Sequence, residues 1–192
     1  NDALIGFKQF DGFSESASLP ENENLNYNLA YTYFKLKDYT NASSYFEKFI
    51  NNKSNDRLRQ NDAYLRLADG YFVSSNYSDA INAYKKANQI NEIESDYAAF
   101  QIAMSQGYLG KSSDKITELK SFINTYPKSA LRDDAMYELA NSYVKSNETD
   151  KAMQMYDRLN SEYKTSAFTS KALLRQGLVY YNSNDNSRAL TK

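Results

Sequence analysis

The stretch Asn28–Phe49, N-L-A-Y-T-Y-F-K-L-K-D-Y-T-N-A-S-S-Y-F-E-K-F, decides the fold. Leu29, Ala30 and Tyr33 fall on one face of a helix, and Ala42, Phe46 and Phe49 on one face of a second. The polar turn between them ends in Thr40, whose hydroxyl makes it the expected N-cap of the second helix. The stretch therefore predicts a helical hairpin, with alanine on each helix where the two backbones must approach.

Outward from this stretch the hairpin recurs. Leu29-Ala30-Tyr33 returns as Leu67-Ala68-Tyr71, Ile102-Ala103-Gln106, Leu139-Ala140-Tyr143 and Gln176-Gly177-Tyr180, at steps of 38, 35, 37 and 37 residues. Ala42 returns as Ala80, Lys115, Ala152 and Ala189. Phe46 returns as Tyr84, Leu119 and Tyr156, and Phe49 as Ala87, Phe122 and Leu159. Thr40, Ser78, Ser113, Asp150 and Ser187 share one position and are all expected N-caps, each worth about 1 kcal/mol. Independent helices would not share register, cap and small-residue position. Residues 23–60, 61–95, 96–132 and 133–169 thus read as four full repeats of one solenoid spanning 1–192, and 170–192 as a truncated fifth. Ala3, Phe7 and Phe10 repeat the spacing of Ala42, Phe46 and Phe49. Residues 1–11 therefore read as the second helix of a preceding repeat, and the chain as a piece of a longer protein. Asp11–Asn24 reads as a connector in which Pro20 bars a continuous helix.

These motifs resemble the tetratricopeptide repeat family. Its large-small-x-x-Tyr pattern is carried by Leu29-Ala30-Tyr33 and its copies, and its Ala-x-x-x-aromatic-x-x-apolar pattern by Ala42-Phe46-Phe49 and Ala80-Tyr84-Ala87. The family's proline beyond the second helix matches Pro127. The resemblance covers nearly the whole chain and implies an all-α, right-handed superhelix of antiparallel helical hairpins, a non-catalytic scaffold that binds partners in a concave groove lined by the first helices. Three departures stand out. The steps exceed the ~34 residues usual for the family. Gln106 and Lys115 replace tyrosine and alanine in the third copy, which predicts irregular packing there. Asn26 replaces the aromatic that Tyr64 supplies in the second copy. The long step, with Tyr126-Pro127-Lys128-Ser129-Ala130 and its echo Tyr163-Lys164-Thr165-Ser166-Ala167, resembles bacterial envelope members such as the outer-membrane assembly lipoproteins and the Tol–Pal coordinating protein. That points to a periplasmic or envelope location.

Composition narrows the chemistry. Across 192 residues, 23 basic side chains nearly balance 24 acidic ones, so the electrostatic footprint of a general nucleic-acid binder is missing. No apolar run approaches the ~20 residues that span a bilayer. With no cysteine there is no disulfide or thiolate metal site, and with no histidine the commonest general base and metal ligand are gone. Tyrosine, at 18 residues, is abundant.

No constellation reads as catalytic or metal-binding, and no cofactor is expected. Asp133 and Asp134 sit where the first turn of a helix favours acids. Asp62 and Asp69, about two turns apart, read as lacking a partner. Gly107-Tyr108-Leu109-Gly110 reads as a helix end, Lys85-Lys86 as a solvated pair, and the Asn-x-Ser/Thr sites at Asn41, Asn52, Asn76 and Asn147 as chance in an Asn- and Ser-rich chain.

The informative feature is a second apolar face on the first helices. Tyr27, Tyr31 and Phe34 form it in the first copy, and Leu65, Asp69 and Phe72 in the second. Phe100, Met104 and Gly107 continue it, then Tyr137, Asn141 and Val144, then Leu174, Leu178 and Tyr181. Such a face is either covered by the neighbouring hairpin or displayed for binding, and tyrosine's apolar ring and polar tip suit the latter. The expected partner-binding residues are Tyr27, Tyr31, Phe34, Leu65, Asp69, Phe72, Phe100, Met104, Tyr137 and Asn141. The expected function is non-catalytic capture of a protein or peptide partner. The alternative is an accessory or regulatory module of a larger enzyme or signalling protein. Leu173, Leu174, Leu178, Val179 and Tyr180 belong to a helix whose partner is cut short, which predicts self-association through the chain ends.

Overall fold

The structure, a computed structural model, describes residues 2–13, 19–52 and 55–182. All regular structure among them is helical: α1 Asp2–Phe13, α2 Leu19–Lys35, α3 Tyr39–Asn51, α4 Arg57–Val73, α5 Tyr77–Ile90, α6 Ser95–Tyr108, α7 Ser112–Thr125, α8 Arg132–Lys145, α9 Thr149–Glu162 and α10 Ala167–Asn182. The helices divide into two compact units, Asn1–Ser105 and Gln106–Lys192.

In the first unit the hairpins α2–α3 and α4–α5 close on the expected residues. Leu29, Ala30, Phe46, Ala68, Ala80 and Tyr84 are wholly buried, and Ala42 and Phe49 nearly so. Burying rings of this size stabilises by ~2–3 kcal/mol each. The alanines let the helices approach, and the large residues on either side fill the space left. Tyr71 is only half-buried, its hydroxyl reaching Glu47 of α3. The second unit repeats the scheme, with Ala140, Ala152, Tyr156 and Leu159 of α8–α9 buried beside Leu119 and Phe122 of α7.

The turn within each hairpin corrects the expected caps. Thr40, Ser78, Ser113 and Asp150 lie inside their helices, and the N-caps are Asp38, Asn76, Lys111 and Glu148. The cause is how the preceding helix stops. Lys37, Ser75, Gly110 and Asn147 each turn left-handed, with φ of 60°, 61°, 74° and 57°. The amide of the next residue then donates back to Tyr33, Tyr71, Gln106 or Tyr143 in the helix just ended. This Schellman closure satisfies the terminal carbonyls at once and shortens the turn. The signature tyrosine position thus supplies packing and also the acceptor that ends its helix. Gly110 is the one glycine used, which bears out the reading of Gly107–Gly110 as a helix end. Ser187 and Ala189 lie outside the described residues.

One further expectation shifts. The described residues of the connector Asp11–Asn24 are helical: α1 runs to Phe13, and α2 begins at Leu19. Pro20 falls in the first turn of α2, where a missing N–H is one of the groups unpaired anyway. Pro127 stands just past α7, as the family pattern implies.

In the third copy Lys115 is accommodated by the glycine it faces. A Cβ on Gly107 would lie 2.7 Å from Lys115 Cδ, so the glycine makes room for the lysine stem. Lys115 Nζ then reaches Glu138 Oε2 at 2.6 Å.

Candidate partner-binding surfaces

In the first unit the inner face of α2 and α4 is built around charge. Asp62, Arg66 and Asp69 follow one another along α4 at helical spacing, their side chains 13%, 18% and 11% exposed. Arg66 bonds Asp62 at 3.2 Å, Asp69 at 2.7 Å and Glu94 at 2.9 Å. Asp62 and Asp69, read from the sequence as lacking a partner, are therefore paired by the arginine between them. Four tyrosines complete the set. Tyr27 and Tyr31 of α2 donate to Asp62 at 2.7 and 3.2 Å, while Tyr84 of α5 and Tyr97 of α6 donate to Asp69 at 2.7 and 2.8 Å. Burial, then the carboxylate beside each, raises all four phenols, Tyr97 to about 12. Burial alone would lower the Arg66 guanidinium, but Asp69, Asp62 and Glu94 outweigh it and hold it up. Every carboxylate oxygen of Asp62 and Asp69 accepts at least one hydrogen bond. This network ties three successive repeats together.

That use of the inner face corrects part of the expected binding set. Leu65 is wholly buried, Phe100 is 7% exposed and Asp69 9%, so these three belong to the packing between hairpins. Tyr27 and Tyr31 are half-buried against Phe46. Phe34 packs on Tyr39 and Phe72 on Tyr77, each pair edge-on at 5.5 Å. Met104 is half-buried.

The second unit is different. Between α8, α9 and α10 lies a cleft of about 410 Å³, lined by Tyr137, Glu138, Asn141, Tyr156, Arg175 and Leu178 together with Val144, Lys145, Val179 and Asn182. Two of the ten expected residues, Tyr137 and Asn141, come together here. Tyr156 OH donates to Asn141 Oδ1 at 2.7 Å, and the Tyr137 ring packs on Phe168 at 5.4 Å. Burial, then the neighbouring Tyr137, pushes the Tyr156 phenol up. The neighbouring Tyr137 raises the Arg175 guanidinium, and Glu138 is held by Lys115. Leu178 is 44% exposed. The cleft thus presents an amide, a cation, a carboxylate and apolar walls within one concavity.

Sequence reasoning missed Glu138, Lys145, Tyr156, Arg175, Val179 and Asn182 as lining. Tyr156 was legible in principle, because tyrosine replaces the Phe46-type residue only where the facing position is Asp69 or Asn141. Asp133 and Asp134 do begin a helix. Asp133 accepts from the Asp134 amide at 3.0 Å and from Ser166 at 2.5 Å. Burial, then Glu138 and Asp133, raises the Asp134 carboxyl to about 6. No described helix is long and apolar enough to cross a membrane.

Comparison with known proteins agrees with this architecture. Tetratricopeptide repeat models match residues 24–56, and residues 97–129 and 134–166. Comparison with curated proteins gives no match. Among solved structures, a MamA protein superposes with a TM-score of 0.73 at 20% identity, over 90% of this chain and 88% of that one. MamA from Desulfovibrio magneticus RS-1 gives 0.71 at 12% identity, over 91% and 92%. YrrB, described as a TPR protein with an unusual peptide-binding site, gives 0.67 at 14% identity, over 98% and 89%. At these identities the likeness establishes the fold: all-α, a TPR-like arrangement of antiparallel helical hairpins.

Proposed function

Because the chain belongs to the tetratricopeptide repeat family, we propose that it is a non-catalytic scaffold that captures a peptide segment of a partner protein in the cleft between α8, α9 and α10. The observation that carries this reading is the cleft itself. At about 410 Å³ it falls within the ~300–1,000 Å³ of ordinary ligand sites, with apolar walls and a few polar groups converging on it. Tyr137 and Asn141 were expected on a recognition face and line it. The peptide-binding site of YrrB, a fold relative, supports the same class of ligand. A bacterial envelope setting is part of the proposal. It is supported by the Tyr126–Ala130 phrase and its echo, which form the α7–α8 and α9–α10 loops.

The test is selection of peptides from a random library on the intact chain, followed by affinity measurement on Leu178→Glu. That change places a charge in the cleft wall at an exposed site. Loss of binding with an unchanged melting temperature is expected. Selected peptides that bind the variant as tightly as the parent would overturn the assignment.

A further inference from the structure

The two units carry one polar motif in two states. In the first, Tyr84 donates to Asp69, and in the second Tyr156 donates to Asn141, both at 2.7 Å and both fifteen residues apart in sequence. In the first unit a side chain from the next repeat completes the motif. Tyr97 donates its hydroxyl to Asp69 Oδ1 at 2.8 Å, sets its ring edge-on to Tyr84 with centroids 6.1 Å apart, and stands one turn before Gln101 on the same face of α6. Two repeats on, Asp69, Tyr84 and Gln101 correspond to Asn141, Tyr156 and Arg175, and all three line the cleft. The position of Tyr97 is taken by Lys171, which is exposed, lies with Nζ 4.8 Å from the Phe168 ring centroid, and does not line the cleft. The second unit keeps the polar seat with no ring from the next repeat on it; beside the buried Tyr156 lies instead the Tyr137 ring of α8, centroids 6.2 Å apart.

We propose that the cleft receives a tyrosine side chain of the bound peptide, seated against Asn141, Tyr156 and Arg175 as Tyr97 is seated against Asp69, Tyr84 and Gln101. The inference rests on the cleft being the partner site. Its chemistry follows from the lining. Asn141 Oδ1 is occupied by Tyr156, so its Nδ2 and the Arg175 guanidinium donate to the phenol oxygen, and the Glu138 carboxylate accepts the phenol hydrogen. Tyr137 and Leu178 flank the ring. A phenylalanine would leave those polar groups without the water they lose and without a replacement partner, which is the usual basis for discriminating the two residues.

The experiment is an NMR titration of the intact chain with N-acetyl-tyrosinamide and, separately, N-acetyl-phenylalaninamide, reading the Asn141 side-chain amide. Tyrosinamide is expected to shift that amide and to bind about fivefold more tightly, the size of one net hydrogen bond. Lys171→Tyr supplies the ring from within the chain and is expected to abolish the shift while keeping the fold. Asn141→Leu is expected to erase the preference. Equal affinity for the two amides, no shift at Asn141, or a shift that survives in folded Lys171→Tyr overturns the inference. Library peptides that lack tyrosine yet lose binding on Leu178→Glu would remove the tyrosine seat and leave the cleft as partner site. Peptides indifferent to Leu178→Glu would remove the cleft itself.

Discussion

Lys115 lies across Gly107, its Cδ 2.7 Å from the place a Cβ on that glycine would occupy. The Lys115 departure is therefore accommodated locally: a lysine stem stands in place of an alanine methyl, and the facing residue, Gly107, has no side chain. Gly107→Ala alone must displace Lys115 and loosen its bond to Glu138. We expect a cost of ~1–3 kcal/mol from overpacking, set against ~1 kcal/mol gained in helix propensity. In a Lys115→Ala background the obstruction is gone, and the same change should stabilise. Denaturation of the four chains of this cycle gives the coupling, and additive effects would disprove the contact.

Arg66 stands between two carboxylates that are about as buried as it is. Arg66→Met leaves Asp62 and Asp69 without a cation and should cost ~3–5 kcal/mol, the usual penalty for breaking a buried pair from one side. Removing both acids with it, as Asp62→Asn, Arg66→Met and Asp69→Asn together, should recover a large part of that loss. Urea unfolding measures both, and an Arg66→Met chain as stable as the parent would show that the network is solvated.

Asp134 gives a pH signature. Its folded carboxyl is raised from 3.8 to about 6 by burial and by Glu138 and Asp133, against the opposing Lys171 and Lys115. The fold thus prefers the protonated acid. The stability this group contributes is fully present below about pH 4 and is lost as pH rises through about 6. Asp134→Asn fixes the neutral form. It should match the parent near pH 3.5 and exceed it at pH 7, so the difference between their melting temperatures should open across that window. A constant difference would contradict the burial.

How much of this was legible follows from the kind of interaction. The core was readable because Leu29-Ala30-Tyr33 and Ala42-Phe46-Phe49 carry their spacing openly, and period and side-chain size suffice for hairpin packing. The caps were misplaced because Lys37 and Ser75 adopt a left-handed conformation that their identity does not announce. Gly110 and Asn147 are residue types that do signal it. Residues 19–24 were read as connector because Pro20 marks a break, and a proline tolerated in a first turn does not announce the helix that follows it. The inner face was the hardest part. Asp69 and Asn141 sit at the same register on equivalent helices, yet one is buried and the other half-exposed. The difference lies one repeat away, in whether Tyr97 or Lys171 follows.

Substitutions on that face should therefore behave differently in the two units. Tyr31→Ala removes a ring packed on Phe46 and a hydrogen bond to Asp62, and should lower the melting temperature measurably. Leu178→Ala trims a side chain 44% exposed and should stay within ~0.5 kcal/mol of the parent. Thermal melts of the two variants decide it, and the reverse order would reassign the exposed face to the first unit.

The most direct measurement places a photo-crosslinking residue at position 178, and in a control chain at Lys85 on the outer side of α5, and irradiates each with a library-selected peptide bound. Covalent capture is expected from position 178, suppressed by unlabelled peptide, and none from position 85. Capture from position 85 with none from position 178 would contradict it, and the partner would then bind outside the cleft.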